Sequence, residues 1–371
     1  MKNAIYIVYD FESYRNKILG QMSSLRNFGY DTYLLTICEN GSCEFSNFTN
    51  GEMMTLETFK LQNYSKYTLK PRYELSSYID RLISKYDFKL FYFRRLGLDI
   101  TGWSLIFKKI KKNNSREILY EIPTYPFDKV NRIKSIIATF AENFYFQRFI
   151  YKYIDRIPVV VQNDCVLDHK MVEFNNAIDI SSIKHLYAEP KKIGKEFNVM
   201  ALAHVNYWHG YDRALRSLAA YKGEKEIYLY IISNETKELN NLRKLSSDLN
   251  IEKNVIFKKY RDVEDIQSEV RNYHVALGGL GYYRRNAKYD TSIKNKEYCA
   301  FGLPFVIANP DKSFPKDFKY QYKVLEDENI FDFNNVINWF KEISAEDYKK
   351  EMIKYACENL IYDLQMVKLL K

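Results

Sequence analysis

Cysteine is scarce in this sequence. Cys38, Cys43, Cys165, Cys299 and Cys357 are scattered and odd in number, and they form no CxxC pair or His/Cys cluster. That pattern excludes a disulfide framework, gives no sign of a metal site, and points to reduced thiols in a cytoplasmic setting. Long apolar runs are missing as well. None approaches the roughly 18 residues that a membrane-crossing helix needs. The start, MKNAIYIVYDFES, has no small-residue cleavage site and reads as a first strand rather than a signal peptide. No GxGxxG follows that strand and no P-loop occurs anywhere, which argues against a dinucleotide or P-loop nucleotide site. Asp-x-Asp, the usual carboxylate pair of a metal-bound nucleotide sugar, is also absent. The basic residues are spread along the chain without a known nucleic-acid-binding pattern, so nucleic acid is not an expected partner.

What is present is apolar, aromatic and basic. The 371 residues are 46% hydrophobic, include 33 Tyr and 24 Phe, and carry a net charge of +9. Such a surface suits an anionic lipid or a phosphorylated small molecule, although an AT-rich coding sequence would also yield much of the Tyr and Lys. Strand-like and helix-like segments alternate throughout. In the first half the strands are 3–9, 31–37, 90–95, 117–122 and 158–162. A helix over 16–29 places Ile18, Leu19, Met22, Leu25 and Phe28 on one face, and further helices fall near 73–86, 103–112 and 129–154. In the second half the strands are 198–203, 226–232, 254–260, 274–279 and 304–308. This βα repetition predicts an α/β protein with two doubly wound Rossmann-like domains. The Pro-, Gly- and charge-rich stretch at 187–197 is the candidate linker. The expected division is 1–190, then 191–344, with a last helix at 345–371 crossing back to the first domain.

Three constellations could carry chemistry. In ALAHVNYWHGYDRAL, residues 201–215, a strand hands over to a helix through two of the chain's five histidines. Gly210 would let backbone approach a ligand, and the helix after it would aim free N–H groups at an anion such as a diphosphate. His204 and His209 could add hydrogen bonds. The plainer alternative is that His209, Asp212 and Arg213 only cap a helix and pair on its surface. In the second stretch, 278–308, a Gly-Gly strand end leads to Arg284, Arg285 and Asp290, then to a helix bearing Lys294 and Glu297. A carboxylate there can accept from both hydroxyls of a ribose, while Arg284 and Lys294 can neutralise phosphates. The alternative is a solvated charged helix face. In the third, LYEIPTYPFD (119–128), Glu121 ends a strand and could orient a hydroxyl or act as a base. It could equally be an edge carboxylate in a Pro-rich turn.

WHGYDR, followed some 70 residues on by an Arg-bearing loop and KNKEYCAFGLPF, resembles bacterial glycosyltransferases of the GT-B fold. The nearest resemblance is to retaining family 4 enzymes of capsular and exopolysaccharide assembly. EIPTYPFD and NAIDI (176–180) are similar to segments of the same enzymes. The resemblance implies two domains facing a cleft, with the nucleotide-sugar donor, UDP-linked, on the second domain, and no cofactor and no metal. It implies a glycan or polyprenyl-linked acceptor on the first domain, where Arg15 and Lys17 face the cleft. In the family an Arg and, five residues on, a Lys grip the diphosphate; here those places hold His204 and His209, so Arg213, Arg284 and Lys294 are expected to supply the charge. The family's two glutamates fall at Tyr289 and Glu297, with Asp290 beside the first. His209 and Arg284 are then expected to act on the leaving diphosphate, with Glu121 completing the catalytic set. Loss of the charged pair also leaves open an inactive partner of an active transferase. The basic, aromatic helix at 129–157 adds an expected anionic membrane contact on the inner face of the cell membrane. Its alternative is simple packing of Ile and Phe on the sheet.

Overall fold

Apolar runs closed off by polar loops become the inner strands of two sheets, and the amphipathic stretches between them cover the sheet faces. The computed structural model describes residues 1–38, 40–62, 70–95, 103–125, 140–162, 168–183, 191–260, 263–285 and 288–370. Within them the chain divides into two compact units. The first is Met1–Asn175 with Tyr362–Lys371, and the second is Asn176–Ile361.

The first unit holds strands β1 (Lys2–Tyr9), β2 (Tyr30–Ile37), β3 (Ser42–Thr49), β4 (Glu52–Lys60), β5 (Phe88–Arg94), β6 (Glu117–Tyr125), β7 (Ile157–Gln162) and β8 (Met171–Glu173). They form one sheet in the order β4-β3-β2-β1-β5-β6-β7-β8. Helices α1 (Arg15–Asn27), α2 (Lys70–Tyr86) and α3 (Trp103–Ile110) connect the parallel strands. β3 and β4 are an antiparallel hairpin added to an otherwise parallel sheet, and the sequence reading missed it. Its signal was there. Asn50-Gly51 has positive φ at both residues, +54° and +83°, as a tight hairpin turn requires.

Strands β9 (Glu196–Leu202), β10 (Glu226–Ser233), β11 (Val255–Lys259), β12 (Val275–Leu277), β13 (Phe305–Ile307) and β14 (Gln321–Lys323) form the second sheet, all parallel, in the order β11-β10-β9-β12-β13-β14. The helices here are α4 (Tyr211–Ala220), α5 (Lys237–Asp248), α6 (Val263–Glu269), α7 (Ile293–Ala300), α8 (Phe333–Ile343) and α9 (Tyr348–Asn359). The sheet reverses direction of growth between β9 and β12, and ligands bind beyond the carboxyl ends of strands at such a point.

The units change over at Asn175–Asn176, ahead of the 190/191 division read from the sequence. NAIDI is already tied to the second unit: Ile178 N–H donates to Leu360 O at 2.9 Å, and Asn176 Nδ2 donates to Thr291 O at 2.7 Å. Part of the expected linker, 187–190, lies outside the described residues. The single last helix expected at 345–371 is two. It breaks at Leu360–Ile361, where Ile178 pairs with Ile361, and α10 (Tyr362–Leu370) then packs on α1 in the first unit.

Of the basic aromatic segment, 129–139 lies outside the described residues. Residues 140–153 are helical, with a π turn at Phe146–Ile150 and a 3-10 turn at Tyr151–Tyr153. Phe146 and Ile150 are buried, whereas Phe140, Phe144 and Phe149 are 73%, 60% and 42% exposed beside exposed Arg148 and Lys152. Packing on the sheet therefore accounts for only part of the segment. Among the described residues no helix is long and apolar enough to cross a membrane.

Candidate functional site

The two stretches singled out in the second unit meet at its sheet reversal. The loop after β9 (203–210) and the loop after β12 (278–285) are zipped together. Leu280 N–H donates to His209 O at 3.0 Å, and Arg213 Nη1 donates to Leu280 O at 2.5 Å. Gly210 holds φ of +69°, and a Cβ there would lie 2.7 Å from Leu280 C and 2.8 Å from Gly281 N. Glycine is needed here because the second loop passes this closely.

Arginine does the clamping. Arg213 is 1% exposed and also donates to Asn329 O (3.0 Å), Leu325 O (3.1 Å) and Asp327 Oδ1 (3.3 Å). Arg284 grips Asp212 bidentately (2.8 and 3.0 Å), Glu328 bidentately (2.9 and 2.5 Å) and Tyr207 O (2.7 Å). Burial opposes its charge, but Glu328 and Asp212 raise its affinity for the proton further. All five N–H bonds of this guanidinium are engaged. Both arginines, expected on the diphosphate, hold the loops that frame the site. The surface pairing of Asp212 weighed against the ligand role is thus present.

Asp290 likewise turns inward. It is buried, accepts from Ser292 N–H (2.6 Å) and Asn295 Nδ2 (2.8 Å), and fixes the start of α7. Burial, then the charge of Asp311, push its carboxyl up. Asp311 in turn pairs with fully buried Lys296 at 2.6 Å. Tyr289, where the family has its first glutamate, carries the Lys312 ammonium 4.3 Å from its ring centroid.

What remains unengaged is a smaller set. Lys294 is only 7% exposed, and its ammonium donates to the Tyr211 hydroxyl at 3.0 Å. Among the described residues it has no ion-pair partner. Burial lowers its pKa to about 8, with Asp290 pulling the other way. His209 packs its ring on the same Tyr211, centroids 5.6 Å apart. Its Nδ1 accepts from Asn206 N–H at 3.0 Å, and burial, then the Lys294 charge, keep its pKa well below the usual value. The ring is therefore neutral, with the proton on Nε2 as a donor. His204 is exposed. Helix α4 starts at Tyr211 from Gly210, and no side chain caps it. The Arg213 N–H bonds Gly210 O at 3.1 Å, which leaves the N–H groups of Tyr211 and Asp212 for an acceptor from outside. Tyr211 and Tyr298 were not singled out in the sequence. Their hydroxyls bond the Leu202 and Leu277 carbonyls at 3.3–3.4 Å, closing the carboxyl ends of β9 and β12 beneath this cradle.

Glu297 sits one turn beyond Lys294 on α7. Its carboxylate has no hydrogen-bond partner among the described residues, and burial alone pushes its pKa up to about 7. A folded-state pKa above the unfolded value means stability that is full below about pH 4.5 and lost as pH rises through about 7. Glu297→Gln is therefore expected to be more stable than the wild type at pH 8, by an amount on the order of 1–3 kcal/mol, and indistinguishable at pH 4. Urea unfolding at the two pH values checks this.

In the first unit Glu121 is fully buried on β6. It accepts from Lys17 Nζ (2.8 Å), Gln21 Nε2 (2.9 Å), the Tyr92 hydroxyl (2.9 Å) and Arg94 Nη1 (3.4 Å). Burial would raise its pKa, but Lys17 and Arg94 outweigh that and bring it to about 2. Such a carboxylate is held as an anion by four donors, which suits an ion-pair centre better than a base. Lys17, expected to face an acceptor, is buried with it, and burial lowers its pKa to about 8. Arg15 is exposed and pairs with Glu12 at 2.9 Å. Among the described residues no group of three or more His, Cys, Asp or Glu side chains could hold a metal ion.

Residues 184–359 match the family model for glycosyl transferases group 1, a span that covers nearly all of the second unit. The chain is a glycosyltransferase with a group 1 domain in its second unit. No curated protein matches the sequence. Solved structures match along the full chain. A glycosyltransferase from Rickettsia africae ESF-5 is 11% identical with a TM-score of 0.70, over 100% of this chain and 97% of that one. Anabaena HepE in complex with UDP-glucose is 10% identical with a TM-score of 0.62, over 100% and 99%. The catalytic domain of starch synthase IV from Arabidopsis thaliana, bound to ADP and acarbose, is 7% identical with a TM-score of 0.64, over 100% and 98%. At such identities the likeness establishes the fold, GT-B, as the motifs implied.

Proposed function

We propose that this glycosyltransferase moves a sugar from a UDP-sugar to a glycan or polyprenyl-linked glycan in surface polysaccharide assembly, with retention at the anomeric carbon and without a metal. The observation that carries the reading is Lys294, a buried ammonium with no carboxylate partner among the described residues, beside an uncapped helix N-terminus. A buried unpaired charge is costly and persists where a counter-charge arrives with the ligand. The leaving diphosphate supplies it. As the bond from the anomeric carbon to the β-phosphate oxygen breaks, negative charge grows on that oxygen. In this reading Lys294, the His209 Nε2–H and the Tyr211 and Asp212 N–H groups at the start of α4 stabilise it. Glu297 takes the ribose hydroxyls. Arg213 and Arg284 hold the two loops in register, and Asp290 fixes the start of α7. UDP-glucose bound to the Anabaena relative supports the choice of nucleotide. The retaining mechanism and the polysaccharide role rest on the motif resemblance. The exposed Phe140, Phe144 and Phe149 among basic residues support a location at the inner face of the cell membrane.

The test is release of UDP from UDP-glucose and other UDP-sugars, with and without a chelator. Release that is unchanged by chelation is the expected result. No release from any UDP-sugar would favour the inactive-partner reading, and release restored only by a divalent ion would refute metal independence. In parallel, the protein should co-sediment with phosphatidylglycerol vesicles at low salt and detach at high salt, because attraction to the surface is screened within about 8–10 Å.

A further inference from the structure

Tyr207 and Trp208 form a short 3-10 turn with His209 and immediately precede the cradle. In the second unit, Tyr207 is the only aromatic among the described residues that is largely exposed, at 49%. It meets the Trp208 ring edge-on, with centroids 5.1 Å apart, and the Arg285 guanidinium lies 5.5 Å from the centre of the Trp208 ring. The turn is held firmly. His209 N–H donates to Asn206 O (2.9 Å), Gly210 N–H to Tyr207 O (3.3 Å), and Arg284 also donates to Tyr207 O (2.7 Å). Nothing in the donor chemistry above uses the Tyr207 ring, and an exposed aromatic on a rigid turn at the rim of a site is a preformed contact surface.

The chemistry of the contact follows from the ring. A pyranose presents one face of C–H bonds with hydroxyls around its edge. A flat aromatic side chain takes up that apolar face, and polar groups at the rim meet the hydroxyls. Along the site, Glu297 takes the ribose, Lys294 follows one turn earlier on α7, and His209 follows through Tyr211. Tyr207 lies on the same 3-10 turn as His209, two residues before it. We infer that Tyr207, backed by Trp208, is a sugar-stacking subsite for the pyranose ring of a carbohydrate acceptor. This rests on the donor-site reading above.

Saturation-transfer NMR on the UDP-loaded protein tests it, with methyl glycosides of glucose, galactose and N-acetylglucosamine as probes, in both anomers. Methyl glycosides have no aryl group of their own to stack. Ring protons of at least one glycoside should receive saturation in the wild type. Tyr207→Ala should reduce the effect at least fivefold, Tyr207→Phe should retain it, and UDP affinity should stay within twofold in both variants. Three outcomes would overturn the subsite: no glycoside saturated by the UDP-bound wild type, an undiminished signal in Tyr207→Ala, or a marked loss of UDP affinity in that variant, which would make the ring a base platform. Failure of the wild type to bind UDP at all would count against the donor-site reading instead.

Discussion

Replacing Glu121 by leucine is expected to cost about 3–5 kcal/mol of stability, the range seen when one partner of a buried ion pair is removed. The leucine would leave Lys17, 6% exposed, and Arg94 without their anion, and it would strip an acceptor from Gln21 and Tyr92. Glu121→Gln keeps the shape and two acceptor lone pairs, so it should cost markedly less. The sign of the pH dependence follows from the lowered pKa. The contribution is present above about pH 4.5 and is lost as pH falls through about 2. The wild type should therefore lose part of its acid stability over that window, and Glu121→Gln should not. Urea denaturation against pH measures both effects. The same pair of variants separates roles. A folded Glu121→Gln that releases UDP at the wild-type rate fits an ion-pair centre, whereas a folded but inactive one would restore the carboxylate as a base.

Lys294→Met is expected to lower turnover by about a hundredfold to a thousandfold, the range for removing one preorganised group that stabilises a developing oxyanion. Stability should hold or rise, because the variant also removes a buried charge whose hydrogen bond is to a phenol. Activity per folded molecule, with the melting temperature beside it, is the measurement. A variant that melts early yet turns over normally would make Lys294 structural. Donor affinity should also follow a bell in pH. It should rise as Glu297 ionises near pH 7 and fall as Lys294 loses its proton near pH 8. Glu297→Gln should flatten the acid limb and leave the alkaline limb in place.

Stability and function pull apart at Glu297. An unpaired carboxylate at a pKa of about 7 weakens the fold at neutral pH, and it is the kind of defect a ligand repairs. Lys296 makes the contrast on the same helix. Two residues beyond Lys294, it is also buried but is neutralised by Asp311 at 2.6 Å. Lys294 and Glu297 therefore stand out among the charges of KNKE because their neighbours leave them unsatisfied.

The period of the apolar runs in the sequence was enough to specify two doubly wound sheets, since burial on both faces demands apolar strands and amphipathic helices whatever the partners are. It also marked the loops that matter, because histidine, glycine and arginine clustered where strands should meet helices. Sequence could not divide the labour within those loops. Arg213, Arg284, Lys294 and Asp290 are alike as a string of charges. Only the fold brought Asn329 O, Leu280 O, Asp212 and Glu328 to the two arginines and turned Asp290 into the start of α7, while leaving Lys294 beside a phenol. Gly210 reads the same way: its glycine was visible, but the reason for it is a backbone 70 residues away. Charge shows in composition, whereas whether a charge is already satisfied depends on long-range neighbours that the tertiary structure alone supplies.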